Sequence, residues 1–279
     1  MTPVDLDIEV ASGRLRAWSF GPHDGDLVIG VPGLTANSRE FAAVGPALAE
    51  RGLRFVALDL RGRGYSDVTP PGTYGWVAHA TDVVDAAAQL GAESFQVVGH
   101  SMGGFVGLQL ANDHPQSLRR LVLVDALGAP DQDALIPIVT SLERLGRVSA
   151  SAEAHVAAVR DGGAVVPWSQ LWEDYYRYEL TEVEDGGVVS RTDRAAILED
   201  VGYASGHPAS DLWAGVTGPT LLCRATVGLG PEGGLIVTSA DRDEFAATHP
   251  QAQMLEIDAN HYGIIEHPDT VRAIAEFLG

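Results

Sequence analysis

Five short runs of the chain are nearly continuous in Val, Leu, Ile and Phe: Leu27–Val31, Phe55–Leu58, Phe95–Val98, Leu121–Val124 and Thr220–Cys223. Apolar residues at both alternating positions predict strands buried on both faces, as in a parallel sheet. Met254–Ile257 predicts a last strand. Val4–Val10 and Leu15–Phe20 instead alternate apolar with polar, which predicts an antiparallel hairpin turning at Ser12-Gly13. Between the strands, Ser38–Glu50, Trp76–Leu90, Met102–Asn112 and Thr270–Leu278 carry helical spacing, and Pro115 and Pro268 mark helix boundaries. Strand and helix alternate, so the expected class is α/β with a mostly parallel central sheet flanked by helices.

The alternation stops between about Gly128 and Gly215. This stretch is helical in pattern, lacks convincing strands and is divided by Gly162-Gly163, Pro167 and Gly186-Gly187. An insertion that follows a strand's C-terminal end sits over the edge of the sheet where α/β proteins bind ligands. The expected organisation is a core of residues 1–127 and 216–279, with residues 128–215 as a helical lid inserted before the strand at 220–224.

Composition narrows the partners. The 279 residues carry 18 Lys+Arg against 38 Asp+Glu, a formal net charge of −20. So acidic a surface is repelled by phosphate backbones and anionic lipids, which argues against nucleic acid and membranes. Every basic side chain is Arg, so no lysine is present to form a Schiff base. The single cysteine, Cys223, forms no internal disulfide and leaves no cysteine-based metal cluster. No secretory signal is legible at Met1–Val10, and the expected setting is cytoplasmic. No metal or other cofactor is expected, and monomer and homodimer both stay open.

The sharpest signal is Gly99-His100-Ser101-Met102-Gly103, a G-x-S-x-G placed directly after a strand and opening a helix. A turn that tight needs small neighbours, and it pushes Ser101 out beside a helix N-terminus, where amides favour developing negative charge. The backbone N–H of Met102 is one natural oxyanion donor. A second is expected from the loop Gly30–Thr35, where Gly33 lets the backbone approach the substrate and the amide of Leu34 donates.

A serine nucleophile needs a base. Of the nine histidines, His261 follows the last strand on the sheet edge that carries Ser101. His114, His207, His249 and His267 each precede a proline, His155 lies in the insertion, His23 and His79 lie in or near turns, and His100 sits inside the elbow. For the acid that orients the imidazole, Asp125 stands at the tip of Leu121–Val124, one helix, a turn and a strand beyond Ser101. Such a βαβ unit brings both residues to the same edge. Glu232 is an alternative, as the first acid after Thr220–Arg224, and Asp241 and Asp258 remain further candidates.

Pro32-Gly33, Asp59-Leu-Arg-Gly-Arg-Gly-Tyr-Ser66, Gly99-His-Ser-Met-Gly-Gly104 and His261, in that order, resemble the α/β-hydrolase superfamily over essentially the whole chain. The resemblance implies an α/β-hydrolase fold and a serine-hydrolase triad, with the Asp59–Ser66 segment as a structural turn. Two features depart from the usual pattern. Pro32 stands where the family usually has His, and the acid is read as moved to the strand before the lid. The second resembles some ring-opening lactone hydrolases and a cofactor-free enzyme of vitamin B6 degradation, which Gly33-Leu-Thr-Ala-Asn-Ser38 also resembles.

In the insertion, Trp168, Trp172, Tyr175, Tyr176 and Tyr178 place five aromatic residues in eleven positions. They are read either as aromatic walls over the serine or as fasteners of lid to core; Tyr262, beside the base, is a further candidate contact. Arg144, Arg147, Arg160 and Arg177 are candidates to hold a substrate carboxylate or to be solvated charges. The expected activity is hydrolysis of an ester or lactone, with amide second, in a small organic molecule through an acyl-enzyme. Carbon–carbon bond hydrolysis or perhydrolysis by the same triad, and a non-catalytic or receptor-like homologue, are the alternatives.

Overall fold

The computed structural model describes residues 2–184, 186–229 and 233–279. Ten strands and nine helices are defined in it. The strands are β1 (Val4–Val10), β2 (Gly13–Phe20), β3 (Leu27–Val31), β4 (Arg54–Leu58), β5 (Phe95–His100), β6 (Leu118–Val124), β7 (Leu180–Glu182), β8 (Val188–Ser190), β9 (Thr220–Ala225) and β10 (Gln253–Ile257). The helices are α1 (Val44–Glu50), α2 (Trp76–Gln89), α3 (Met102–Asp113), α4 (Gln132–Leu142), α5 (Ala152–Asp161), α6 (Gln170–Tyr178), α7 (Arg194–Gly206), α8 (Ser239–Thr248) and α9 (Pro268–Leu278).

Eight strands form one sheet in the order β1-β2-β4-β3-β5-β6-β9-β10. Pairings β1–β2 and β2–β4 are antiparallel and the other five are parallel. The continuous apolar runs have the cause the pattern suggested. In β6, Leu121 and Leu123 face one core, with Val83 of α2 and Val106 of α3, while Val122 and Val124 face a second, with Leu48 of α1 and Ile274 of α9. A sheet sandwiched between two helical layers has no wet face, so both side-chain sets must be apolar.

Register positions the site. His100 pairs with Val124, and Val124 with Cys223, so β5 and β6 end level and β9 runs two residues further, to Ala225. Ser101 and Asp125 are therefore the first residues beyond two adjacent strand tips, and His261 follows β10 in the same direction. Among the described residues no helix is long and apolar enough to cross a membrane.

Three expectations are revised. Ser38–Glu50 is a 3₁₀ turn, Ser38–Phe41, followed by α1, because Asn37 caps the turn through Arg39 N and the chain then changes direction. The 128–215 stretch is not purely helical: β7 and β8 form a small antiparallel hairpin, and Ser149 bridges to Val188. Helix α8 is an addition, since it buries little besides Phe245 and leaves a faint amphipathic pattern.

Candidate active site

The turn from β5 into α3 is built on close backbone approach. A Cβ on Gly103 would lie 1.9 Å from the Val31 carbonyl oxygen, and one on Gly99 would lie 2.3 Å from that of Gly103. Only glycine fits either position. Ser101 itself has φ 54° and ψ −124°, a conformation that costs a non-glycine residue about 1–3 kcal/mol. The packed surroundings hold it there and present the hydroxyl beyond the strand tip.

His261 Nε2 lies 3.0 Å from Ser101 Oγ, and His261 Nδ1 lies 2.8 Å from Asp125 Oδ2. A carboxylate only accepts, so Nδ1 carries the proton and Nε2 is left free to take one from the serine. The other Asp125 oxygen accepts the Ala225 N–H at 3.0 Å, and the Asp125 N–H donates to the Cys223 carbonyl at 2.7 Å. Both anchors lie on β9, so the acid is locked to the neighbouring strand. Asp125 is also one of two non-glycine residues at positive φ (47°) among those described, a region Asp tolerates better than most. Of the alternative acids, Asp258 is exposed, Asp241 sits in the first turn of α8, and Glu232 lies outside the described residues.

A second layer of charge supports these groups. Glu40, fully buried, accepts the Gly33 N–H through Oε1 at 3.2 Å and His100 Nδ1–H through Oε2 at 3.2 Å. His100 Nε2 donates to the His261 carbonyl oxygen at 3.0 Å. Both His100 nitrogens face acceptors, the arrangement of an imidazolium. Burial opposes that charge, but the Glu40 carboxylate outweighs it and holds the His100 pKa above its ordinary value. His261 shifts the other way: burial lowers its pKa, Asp125 partly restores it, and the His100 ring 4.7 Å away lowers it further.

The amides of Leu34 and Met102 have no acceptor among the described residues, whereas that of Gly33 is taken by Glu40. Two free N–H groups beside Ser101 can receive an oxyanion. Arg63, wholly buried, donates from Nε to the Leu34 carbonyl at 3.0 Å and from Nη2 to Asp200 of α7. Asp200 also accepts the Gly75 N–H at 2.7 Å and His79 Nε2–H at 3.1 Å. These partners hold its pKa down at about 2 against the upward pull of burial. The Asp59–Ser66 turn is thus a bracket: Arg61 grips Asp82 of α2 with two nitrogens at 2.6 and 2.7 Å, and Asp59 gathers Ser38 N, Tyr65 N and the Tyr178 hydroxyl.

Over Ser101 lies a cavity of about 410 Å³, within the range of small-molecule sites. Gly33, Leu34, Ser101, Met102, Trp172, Tyr175, Tyr176, His261 and Tyr262 all line it; Trp168 does not. Trp168 stacks on Tyr176 at 5.9 Å from outside, and Tyr178 fastens α6 to Asp59. The aromatic cluster is therefore wall and fastener at once, divided residue by residue. Of the four arginines, Arg144 lines the cavity; Arg147 and Arg160 are exposed and Arg177 pairs with Glu173 and Glu153. Glu40, Arg63 and Asp200 carried no sequence signal as site residues, because their partners are remote along the chain.

A strained serine, an imidazole and a carboxylate stand in hydrogen-bonded series at the end of a mostly parallel sheet, the arrangement typical of the α/β-hydrolase fold. Residues 26–268 match the family described as alpha/beta hydrolase fold, and the chain belongs to it. It is 38% identical over 111 residues to a candidate carbamate hydrolase of Variovorax paradoxus, covering 40% of this chain and 42% of that protein. It is 37% identical over 122 residues to N-formylmaleamate deformylase of Pseudomonas putida, covering 42% of this chain and 45% of the relative. The matched stretches span less than half the length of these curated relatives. In fold it is similar to the crystal structure of E-2-(acetamidomethylene)succinate hydrolase, with a TM-score of 0.87, 22% identity and 99% of each chain covered.

Proposed function

We propose that the protein is a cofactor-independent serine hydrolase that cleaves an ester or lactone of a small organic molecule through an acyl-enzyme. The observation that carries this reading is the unbroken series Ser101–His261–Asp125, at 3.0 and 2.8 Å, opening into a cavity. His261 takes the Ser101 proton as Oγ attacks the carbonyl carbon, and Asp125 steadies the imidazolium without taking the proton. The Leu34 and Met102 amides hold the oxyanion. His261 then protonates the leaving group, and a water activated by the same base releases the acyl group. Residues 128–215 act as the lid that shapes the cavity, and the core of 1–127 and 216–279 carries the chemistry.

A second reading is hydrolysis of a carbon–nitrogen bond by the same groups. Two relatives named above favour it, one a candidate carbamate hydrolase and the other a deformylase of an N-formyl compound. The test begins with a fluorophosphonate probe and peptide mapping, which reports an activated serine whatever the substrate. Labelling of Ser101 is expected; folded protein that leaves Ser101 unlabelled overturns the mechanism. A matched panel of esters, lactones and amides then separates the two readings by turnover.

A further inference from the structure

The cavity holds two carboxylates and one guanidinium besides the catalytic imidazole and His100. Both carboxylates are occupied from within. Glu40 accepts Gly33 N and His100, and Asp200 accepts Arg63, His79 and Gly75 N. Arg144 is different. Its Nη1 donates to Glu179 Oε1 at 2.5 Å and its Nη2 makes a long contact of 3.4 Å to Thr35 Oγ1. A guanidinium has five N–H donors, so three have no protein acceptor among the described residues. The side chain is 17% exposed and stands in the cavity wall, with its Cζ 5.5 Å from the Tyr176 ring centre.

Glu179 fixes this guanidinium without using it up. The carboxylate is wholly buried, lies outside the cavity wall and has His155 Nε2 at 3.5 Å from the oxygen that Arg144 grips. One nitrogen of the fork is therefore held by a buried carboxylate, while three N–H groups of this cavity-lining side chain have no acceptor among the described residues. Arginine N–H groups cannot accept a hydrogen bond, so the complementary group is an acceptor, and a planar carboxylate matches the fork best. Thr35, which the guanidinium touches, follows the Leu34 amide directly in the chain, so the anion site lies a short way from the oxyanion position. Trp76, Phe105, Leu135, Ile138 and Ile236 give the cavity an apolar wall besides.

We infer that Arg144 receives a carboxylate of the substrate, so that the molecule hydrolysed is a small carboxylic acid whose scissile carbonyl stands a few bonds from its charged end. The inference rests on the serine-hydrolase reading above and names the substrate class for the same site. Such a contact determines specificity: it anchors the acid end and leaves the apolar wall for the rest of the molecule.

The test compares mono-p-nitrophenyl succinate with its neutral counterpart, methyl p-nitrophenyl succinate, which differ only at the far carboxyl. Wild-type protein is expected to favour the anionic ester in kcat/KM by roughly 10- to 100-fold, the range for a charge-assisted hydrogen-bond pair. Removing Arg144 alone strands Glu179 in the interior. The informative variant is therefore Arg144→Met with Glu179→Gln, which removes both charges; its melting temperature is recorded alongside. In it the ratio of the two kcat/KM values is expected to collapse towards one. The wild-type comparison decides independently of how well that variant folds. Equal or inverted preference in wild type, or a preference that survives in the folded double variant, overturns the assignment. Fluorophosphonate labelling of Ser101 in the wild type keeps the two readings apart. Labelling without preference for the acid removes only the Arg144 assignment, whereas failure to label removes the hydrolase mechanism.

Discussion

Replacing Asp125 by Asn tests the site with the smallest change of shape. The two Asp125 oxygens accept from two different donors, His261 Nδ1–H at 2.8 Å and the backbone N–H of Ala225 at 3.0 Å. An asparagine has only one oxygen. The Ala225 N–H is fixed by the β-sheet and cannot turn away, so the amide oxygen goes to it and the NH₂ faces His261. The imidazole must then accept at Nδ1, which places its proton on Nε2, the atom that should take the proton from Ser101. Every wild-type contact keeps a partner, so stability should change little, while the base is lost. In a comparable serine–histidine–aspartate arrangement this tautomer error costs about 10⁴-fold in kcat, or about 5 kcal/mol of barrier. The assay is kcat on a p-nitrophenyl ester together with the second-order rate of fluorophosphonate labelling, with melting temperature as control. A folded Asp125→Asn protein that keeps more than about a tenth of either rate refutes the reasoning and directs attention to Glu232→Gln.

Further expectations follow from the same geometry. Only neutral His261 can act as base, and burial holds its pKa below the ordinary 6.5. Activity is thus lost as pH falls through that lowered value, and the acid limb of kcat/KM should lie below pH 6.5; a limb at or above neutrality contradicts the assignment. Asp200→Ala leaves Arg63 charged and without a counter-ion in the interior, a loss of about 3–5 kcal/mol; urea unfolding should show it, and a shift under 1 kcal/mol would count against the buried pair. Gly103→Ala drives a methyl into the Val31 carbonyl, 1.9 Å away, and should yield unfolded or insoluble protein. Burial pushes the Cys223 thiol up to about 12, so iodoacetamide should modify it only after denaturation.

The parts of the molecule legible in the sequence are those whose cause is local. Strand runs such as Leu121–Val124 are apolar on both faces because both faces are covered, and the elbow glycines are required by backbone contact within a few residues of Ser101. Asp125 and His261 are readable because both follow the C-terminal ends of strands, which share one edge of the sheet when the strands run parallel. Helix α8 was missed because it barely buries a stripe, and the β7–β8 hairpin because three-residue strands are too short to show a period. Placing His79 in or near a turn and His100 inside the elbow does not reveal that both side chains are buried. Their partners, Asp200 and Glu40, lie 121 and 60 residues away. Charge pairs of that kind follow from tertiary packing, and no spacing rule announces them.

Arg63 has one further consequence, for exchanging parts between relatives. It ties the loop after β3 to the 128–215 stretch, since one of its nitrogens supports the Leu34 carbonyl while another is neutralised by an acid on α7. A chimera that transplanted a foreign 128–215 segment onto this scaffold would inherit a buried cation without a counter-ion beneath the Leu34 loop unless the graft brought a carboxylate at the place of Asp200. Exchanging that segment and preserving the loop at Leu34 are thereby coupled, and the swap succeeds only as a matched set.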